Sequence, residues 1–441
     1  MFRTLANAWK IEDLRKKLLF TLFIVLIYRV GACLPVPFIE SGALQNYQMM
    51  QTGVLGFVSI LSGEAFQYAT LFALGVSPYI TASIVIQLLT IAIPALERLA
   101  KRGDEGKEKI AQITRYITIA LATVTAIGYY FMLKRGGAVR DGYEGIFYAI
   151  VIIACFVAGS SLVMWLAEKI NERGIGNGVS IILFANIISR IPSSILAMIG
   201  EIKERPIGGT IFAVCYSIVL LALVWFIIFM SDSERRIPVQ YAKKVVGRKM
   251  YGGQSSNIPI KLNMTGVMPI IFANAIITLP ATIAMFFDAP KEGTFWHGFL
   301  NLFANTSWLY AVLQFLLILA FAYFYVAISF NPIEVSGNLQ KNGGSVPGIR
   351  PGKATSDFIS KVLSRITLIG ALFLSVIAVL PLIVQLIMSV IPHDTIKHFA
   401  TSFANIAFGG TSIIIVVGVI LETIRDIEAQ MTMRHYKGFL E

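Results

Sequence analysis

Apolar runs of about twenty residues, each long enough to cross a hydrocarbon core of roughly 30 Å, recur along this chain from end to end. They are continuous rather than alternating, which excludes a transmembrane β-barrel and points to helices. Only 14% of the 441 residues are charged, and the mean hydropathy is +0.73, whereas a soluble domain carries about 25% charged residues. The fold class expected is therefore all-α, a polytopic membrane protein. Cys33, Cys155 and Cys215 lie in or beside apolar runs with neither metal spacing nor a paired pattern, so they read as small packing residues. The N-terminal run "LLFTLFIVLIY" follows Arg15, Lys16 and Lys17 like a signal peptide. Arg29 interrupts it, however, and no A-x-A-like cleavage site follows, so it reads as a retained first span.

Spans are expected near 18–36, 71–93, 111–133, 146–167, 179–199, 211–230, 265–287, 308–330, 363–388 and 404–421. Basic residues test this division. The N-terminus, the even-numbered loops and the C-terminal tail hold 28 of the 37 Lys and Arg when residues near a span end are counted with the adjoining loop. The odd-numbered loops hold 8, and Arg29 lies within the first span. Basic residues mark the cytoplasmic side, so both termini are expected there. A missed or false span would scramble that split.

The +12 net charge is thus concentrated on one face. Topology alone does not require the two long loops on that face, 231–262 and 331–361, because loops joining neighbouring helices usually run about 2–8 residues. Both carry Gly/Pro turn signals, "YGGQSSNIP" and "NGGSVPGIRPG". They read as ordered docking elements suited to an acidic or phosphate-rich partner such as an RNA, an anionic lipid headgroup or an acidic protein.

Residues 54–66 are apolar but too short to span, and Ser62, Gly63 and Glu64 end the run. Either this is a helix on the outer surface or a re-entrant half-helix, which would need a cavity among the spans. Mid-span stretches are poor in ionisable groups: Arg29, Glu168, Lys169, Arg365 and Glu422 lie near span ends, and His297, His393, His398 and His435 lie in loops or the tail. Ion-coupled chemistry is disfavoured on that ground. Thr81, Ser83, Gln87, Asn186, Asn274, Thr278 and Gln314 are polar but uncharged within spans, where interhelical hydrogen bonding is their ordinary role. Val76, Ile80, Ile84 and Gln87 share one helical face; Val179, Leu183 and Asn186 repeat the arrangement. Each face serves as core packing or as a hydrophobic constriction beside a wettable strip. No nucleotide-binding, metalloprotease or nucleophile-elbow motif is present, and "GIGNG" (174–178) lacks the strand and spacing of a nucleotide fold. No enzyme activity and no cofactor are expected.

Six stretches together carry a resemblance: "ALGVSPYITASIVIQLL" (73–89), "RGDEGKEKIAQITRY" (102–116), "ERGIGNGVSII" (172–182), "VQYAKKVVGRKMYGGQSSNIPIKLNMTGVMPIIFA" (239–273), "NPIEVSGNLQKNGGSVPGIRPG" (331–352) and "FGGTSIIIVVGV" (408–419). The chain resembles the SecY family, the channel subunits of the bacterial protein-conducting translocon, over nearly its whole length.

The resemblance implies ten transmembrane helices in two pseudo-symmetric five-helix halves, 1–200 and 201–441, closing around an hourglass pore. By motif position the ring at its waist would be Val76, Ile80, Val179, Leu183, Ile271 and Ile415, two valines and a leucine standing where the family often has isoleucine. Residues 54–66, with Val54, Leu55, Phe57, Ile60 and Leu61, would be the re-entrant plug. Thr81, Gln87 and Asn274 would hold shut a lateral gate between spans 2–3 and 7–8. Arg248, Lys249 and Arg350 sit at family docking positions for the ribosome or the SecA ATPase, and the tail 433–440 would add to that surface. The resemblance further implies small SecE- and SecG-type membrane subunits, signal sequences and nascent polypeptides as partners, and the bacterial cytoplasmic membrane as location. An ion-coupled secondary transporter of a small solute is the alternative function, and a ribosome scaffold a weaker one.

Overall fold

The computed structural model describes residues 2–40, 42, 62–241, 244–246, 249–251, 255–287, 298–299, 302–303, 307–390 and 410–437. Phe2–Lys10 forms α1 and Glu12–Cys33 forms α2, whose first turn carries Glu12 and Asp13 beside the unsatisfied N–H groups of a helix start. Turns occupy 62–76. Ser77–Ala92 (α3) opens with Pro78 in its first turn. At Ile93 the chain bends by 105° into Pro94–Ala100 (α4), because Pro94 lacks the N–H that would continue the ladder. Asp104–Arg135 (α5) and Ile146–Arg173 (α6) are unbroken.

The fifth expected span is divided into Gly178–Ile188 (α7) and Ile191–Glu204 (α8), with Pro192 starting the second piece. Pro206–Asp232 (α9) follows. The seventh is also in two pieces, Met268–Ile277 (α10) and Leu279–Ala284 (α11). Trp308–Ser329 (α12), Pro332–Lys341 (α13), Lys353–Val390 (α14) and Gly410–Lys437 (α15) complete the helices among the described residues. By length and composition six stretches qualify as membrane spans, and seven if the bent α3–α4 pair is one. α2 and α15 are long enough, but Lys16, Lys17 and Arg29 in one and Glu422, Arg425 and Asp426 in the other interrupt their apolar stretches; α10 is short.

Ile146 is 82% exposed and Ile207 81%. A multi-pass membrane protein explains such faces: they meet lipid, where exposure of large apolar side chains carries no hydration cost. Of the six qualifying spans among the described residues α9 is the most exposed to lipid, with 11% of its apolar stretch buried, against 61% for α14. α12 packs on α14 and α10, and α3 on α5. Early and late helices meet where α3 touches α10, α5 touches α11, α7 touches α15 and α1 touches α15. Gly159 lets α6 approach the 62–76 turns at backbone distance, since a Cβ there would stand 1.9 Å from the Leu71 carbonyl oxygen.

The two long loops fold together. Glu234–Tyr241 (β1) and Ser255–Lys261 (β4) pair antiparallel with Ile237 opposite Ile258, and Gly344–Ser345 (β5), from the second loop, adds to the free edge of β1 with Gln240 opposite Ser345. Between them Lys244–Val246 (β2) and Lys249–Tyr251 (β3) make a separate hairpin. Ile237, Val239 and Ile260 are buried against Leu339, Val346 and Ile359, while Glu234, Arg235 and Arg236 face solvent. Period-two alternation thus fixes the sheet register.

Candidate functional site

The six aliphatic positions come together from four helices. Val76 closes the turns as the N-cap of α3, and Ile80 follows one turn later; Val179 and Leu183 stand one turn apart on α7; Ile271 is on α10 and Ile415 on α15. Val76, Ile80, Leu183, Ile271 and Ile415 are buried members of one apolar cluster, and the half-buried Val179 packs against it. α7 is seated by its cap: Asn177 Oδ1 accepts from the Val179 N–H at 3.1 Å and the Ser180 N–H at 3.5 Å. The loop before it is tied to two other helices, because the Ile175 N–H donates to Thr21 Oγ1 of α2 at 3.1 Å and the Gly176 N–H to Asp426 Oδ2 of α15 at 3.0 Å.

Ile80, Ile271 and Ile415 line a cavity of about 20 Å³ with Ser77, Thr81, Asn274, Ala275 and Thr278. That is room for one water, which needs roughly 10–15 Å³. Three of the six positions thus border a space the size of one water, inside a buried apolar cluster.

Thr81 and Asn274 meet at this cavity, from α3 and α10. Gln87 does not: its Nε2 donates to Ser83 Oγ at 3.3 Å within α3. Asn274 Oδ1 instead accepts from Gln314 Nε2 of α12 at 3.2 Å. The seam continues where Arg135 of α5 donates to the Phe286 carbonyl at 2.9 Å and Gly128 leaves space for the Phe286 ring. Val54, Leu55, Phe57, Ile60 and Leu61 lie outside the described residues, as does Arg248. Lys249 is in β3, opposite Val246. Arg350 is exposed in the turn between β5 and α14, its carbonyl accepting from Thr355 Oγ1 at 2.9 Å.

Ion pairs that the sequence reading passed over also shape the site. Glu64, near the end of the 54–66 stretch, pairs with Arg190 at 3.3 Å, and Arg190 sits at the break between α7 and α8. The Pro192 that follows is the signal that the fifth span breaks there. Arg115 of α5 pairs with Glu168 of α6 at 2.7 Å. At the base of β1 and β4, Arg425 of α15 donates to the Ser231 carbonyl at 2.6 Å and to Asp232 at 2.8 Å. Burial, and then the Arg425 charge, hold the nearby Lys261 ammonium below the usual lysine pKa. Among the described residues no cluster of three His, Cys, Asp or Glu could hold a metal ion.

Residues 70–424 match the SecY family model. Protein translocase subunit SecY of Streptomyces coelicolor is 43% identical, and the alignment covers 100% of both chains. The chain belongs to the SecY family. SecY of Mycobacterium tuberculosis is 40% identical, again over 100% of each chain. Two solved structures share the fold at 16% sequence identity, each covering 95% of this chain and 92% of their own. One is described as a protein-conducting channel, with a TM-score of 0.64. The other, at 0.63, is described as a SecY protein whose plug domain stabilises the closed state and maintains a membrane seal. Sec61 in a canine ribosome–channel complex matches at 0.60.

Proposed function

We propose that the chain is the channel subunit of a bacterial Sec-type translocase. It passes unfolded secretory polypeptides across the cytoplasmic membrane and releases hydrophobic segments sideways into lipid. The observation that carries the reading is that aliphatic side chains from four separate helices share one buried apolar cluster, in a chain matching SecY subunits over its full length. An aliphatic neck binds no substrate side chain, offers ions no solvation and stays dry at rest. It is not an enzyme: the free energy comes from a motor or from translation. The ion-coupled transporter has no specific support here.

Ten spans in two five-helix halves, 1–200 and 201–441, fit the helices, if α3–α4, α7–α8 and α10–α11 each count once and α2 and α15 are included. Both termini are assigned to the cytoplasm, supported by the basic-residue split and by α1 packing on α15. Val76, Ile80, Val179, Leu183, Ile271 and Ile415 form the pore ring, residues 54–66 the plug, and Thr81 with Asn274 the gate, with Gln87 one turn and a half further along α3. A signal sequence opens the gate by substituting apolar burial, worth roughly 25 cal/mol per Å², for the polar contacts there. Arg248, Lys249 and Arg350 dock the ribosome or SecA; the likeness to Sec61 in a ribosome–channel complex supports the first of these. SecE- and SecG-type subunits complete the complex.

Reconstitution tests the reading. Vesicles containing this chain with its small subunits and SecA should import a secretory precursor when ATP is supplied. An active motor with no import would refute it, and ion-gradient-driven uptake of a small solute by the chain alone would favour the transporter.

A further inference from the structure

Two neighbouring helices bury an amide each. Asn274 of α10 is 2% exposed and Gln314 of α12 is 1% exposed. Their one mutual bond, Gln314 Nε2 to Asn274 Oδ1, leaves Asn274 Nδ2 and Gln314 Oε1 buried with no hydrogen-bond partner. Native interiors rarely leave such groups unpaired, so each needs a physical account.

Asn274 also lines the one-water cavity it shares with Thr81 of α3 and Thr278. The Thr81 hydroxyl donates to the Ser77 carbonyl at 3.1 Å, and the Thr278 hydroxyl to the Ala275 carbonyl at 2.9 Å. Each hydroxyl has a single hydrogen, so both oxygens have only acceptor capacity left for the cavity. A water there would have acceptors for its two hydrogens and would itself need a donor. Ser77 also lines the cavity with a hydroxyl, but Asn274 Nδ2 is the buried donor of a lining residue left without a partner, and we assign it that role. We infer that Gln314 is a positioning residue for the α3–α10 seam: by donating to Oδ1 it turns the Asn274 amide so that Nδ2 serves a water shared with Thr81.

Gln314 lines no part of the cavity and acts through Asn274 alone. The seam is then bridged by a wet amide contact, which an entering apolar segment can displace. The inference rests on the reading of this seam as the lateral gate, and the test separates the two.

The channel, with its small subunits and SecA, is placed in vesicles. Import is measured for precursors whose signal sequences are graded in hydrophobicity, alongside thermal stability. Gln314→Met keeps length and apolar bulk but cannot donate. It should import the weakest signal about fivefold faster than the parent chain, the equilibrium factor of one net hydrogen bond, and the strongest signal at the parent rate. In an Asn274→Leu background, which shifts the threshold by itself, Gln314→Met should add nothing. If Asn274→Leu shifts the threshold and Gln314→Met does not, or if their effects add, the positioning role is overturned and the gate stands. If neither variant shifts it, the gate reading itself fails. Should Gln314→Met not accumulate in the membrane, Gln314→Leu is read in the same series with the same expectations.

Discussion

At the residue scale, Asp426 joins α15 to the loop that seats α7. Its Oδ2 accepts from the Gly176 N–H, and from Gln430 Nε2 at 3.3 Å. Gly176 has a φ of +77°, where a side chain is strained, and a Cβ would meet Thr423 Oγ1 at 3.1 Å. Asp426→Ala removes the acceptor and leaves the Gly176 N–H without it. The expected loss is about 1–3 kcal/mol, read as a lower melting temperature of the purified protein. The contact at Gly159 is a second close one. Gly159→Ala drives a methyl into the Leu71 carbonyl and should cost about 1–3 kcal/mol, whereas Gly200→Ala, with nothing within 4 Å of its Cβ and a helical backbone that favours Ala, should not lower the melting temperature. Neither position stands out in the sequence, because a glycine in an apolar run does not reveal which neighbour approaches it.

At the scale of elements, the sheet joins the two long loops. β5 pairs on β1, and Val346 packs with Val239 beneath it. Arg350→Glu should lower SecA-driven import while leaving melting and membrane insertion intact. Val346→Asp should lower both import and melting, because it buries a carboxylate where Val346 is 5% exposed. Equal import by both variants and the parent would remove this platform from the account. Turn signals marked these loops as ordered, and the alternation of Ile237 with Val239 was there to be read; the pairing of β5 with β1 was not, because two residues carry no pattern. Six of the expected spans, seven with the bent α3–α4 pair, were legible because twenty apolar residues have one stable arrangement in lipid. The breaks at Ile93 and Ser189–Arg190 follow from Pro94 and Pro192, yet their effect on span continuity depends on neighbouring helices.

At the scale of the whole molecule, the proposed channel is two groups of helices closing around a greasy neck. Motif position indicated which aliphatic residues to watch, whereas the Asn274–Gln314 bond needed the packing of α10 on α12 to be seen. Hydropathy could not supply it, since two amides forty residues apart carry no common period. Replacing Val76, Ile80, Leu183 and Ile271 together by glycine should raise the ion leak of vesicles holding the channel, because the neck would then hydrate. The most direct measurement places a photo-crosslinking residue at one position of a precursor stalled midway through import. The account predicts adducts from that single position to Ile80, Leu183 and Ile271, which lie on α3, α7 and α10. Adducts confined to lipid-facing residues such as Ile146 or Ile207, with none at the neck, would contradict it.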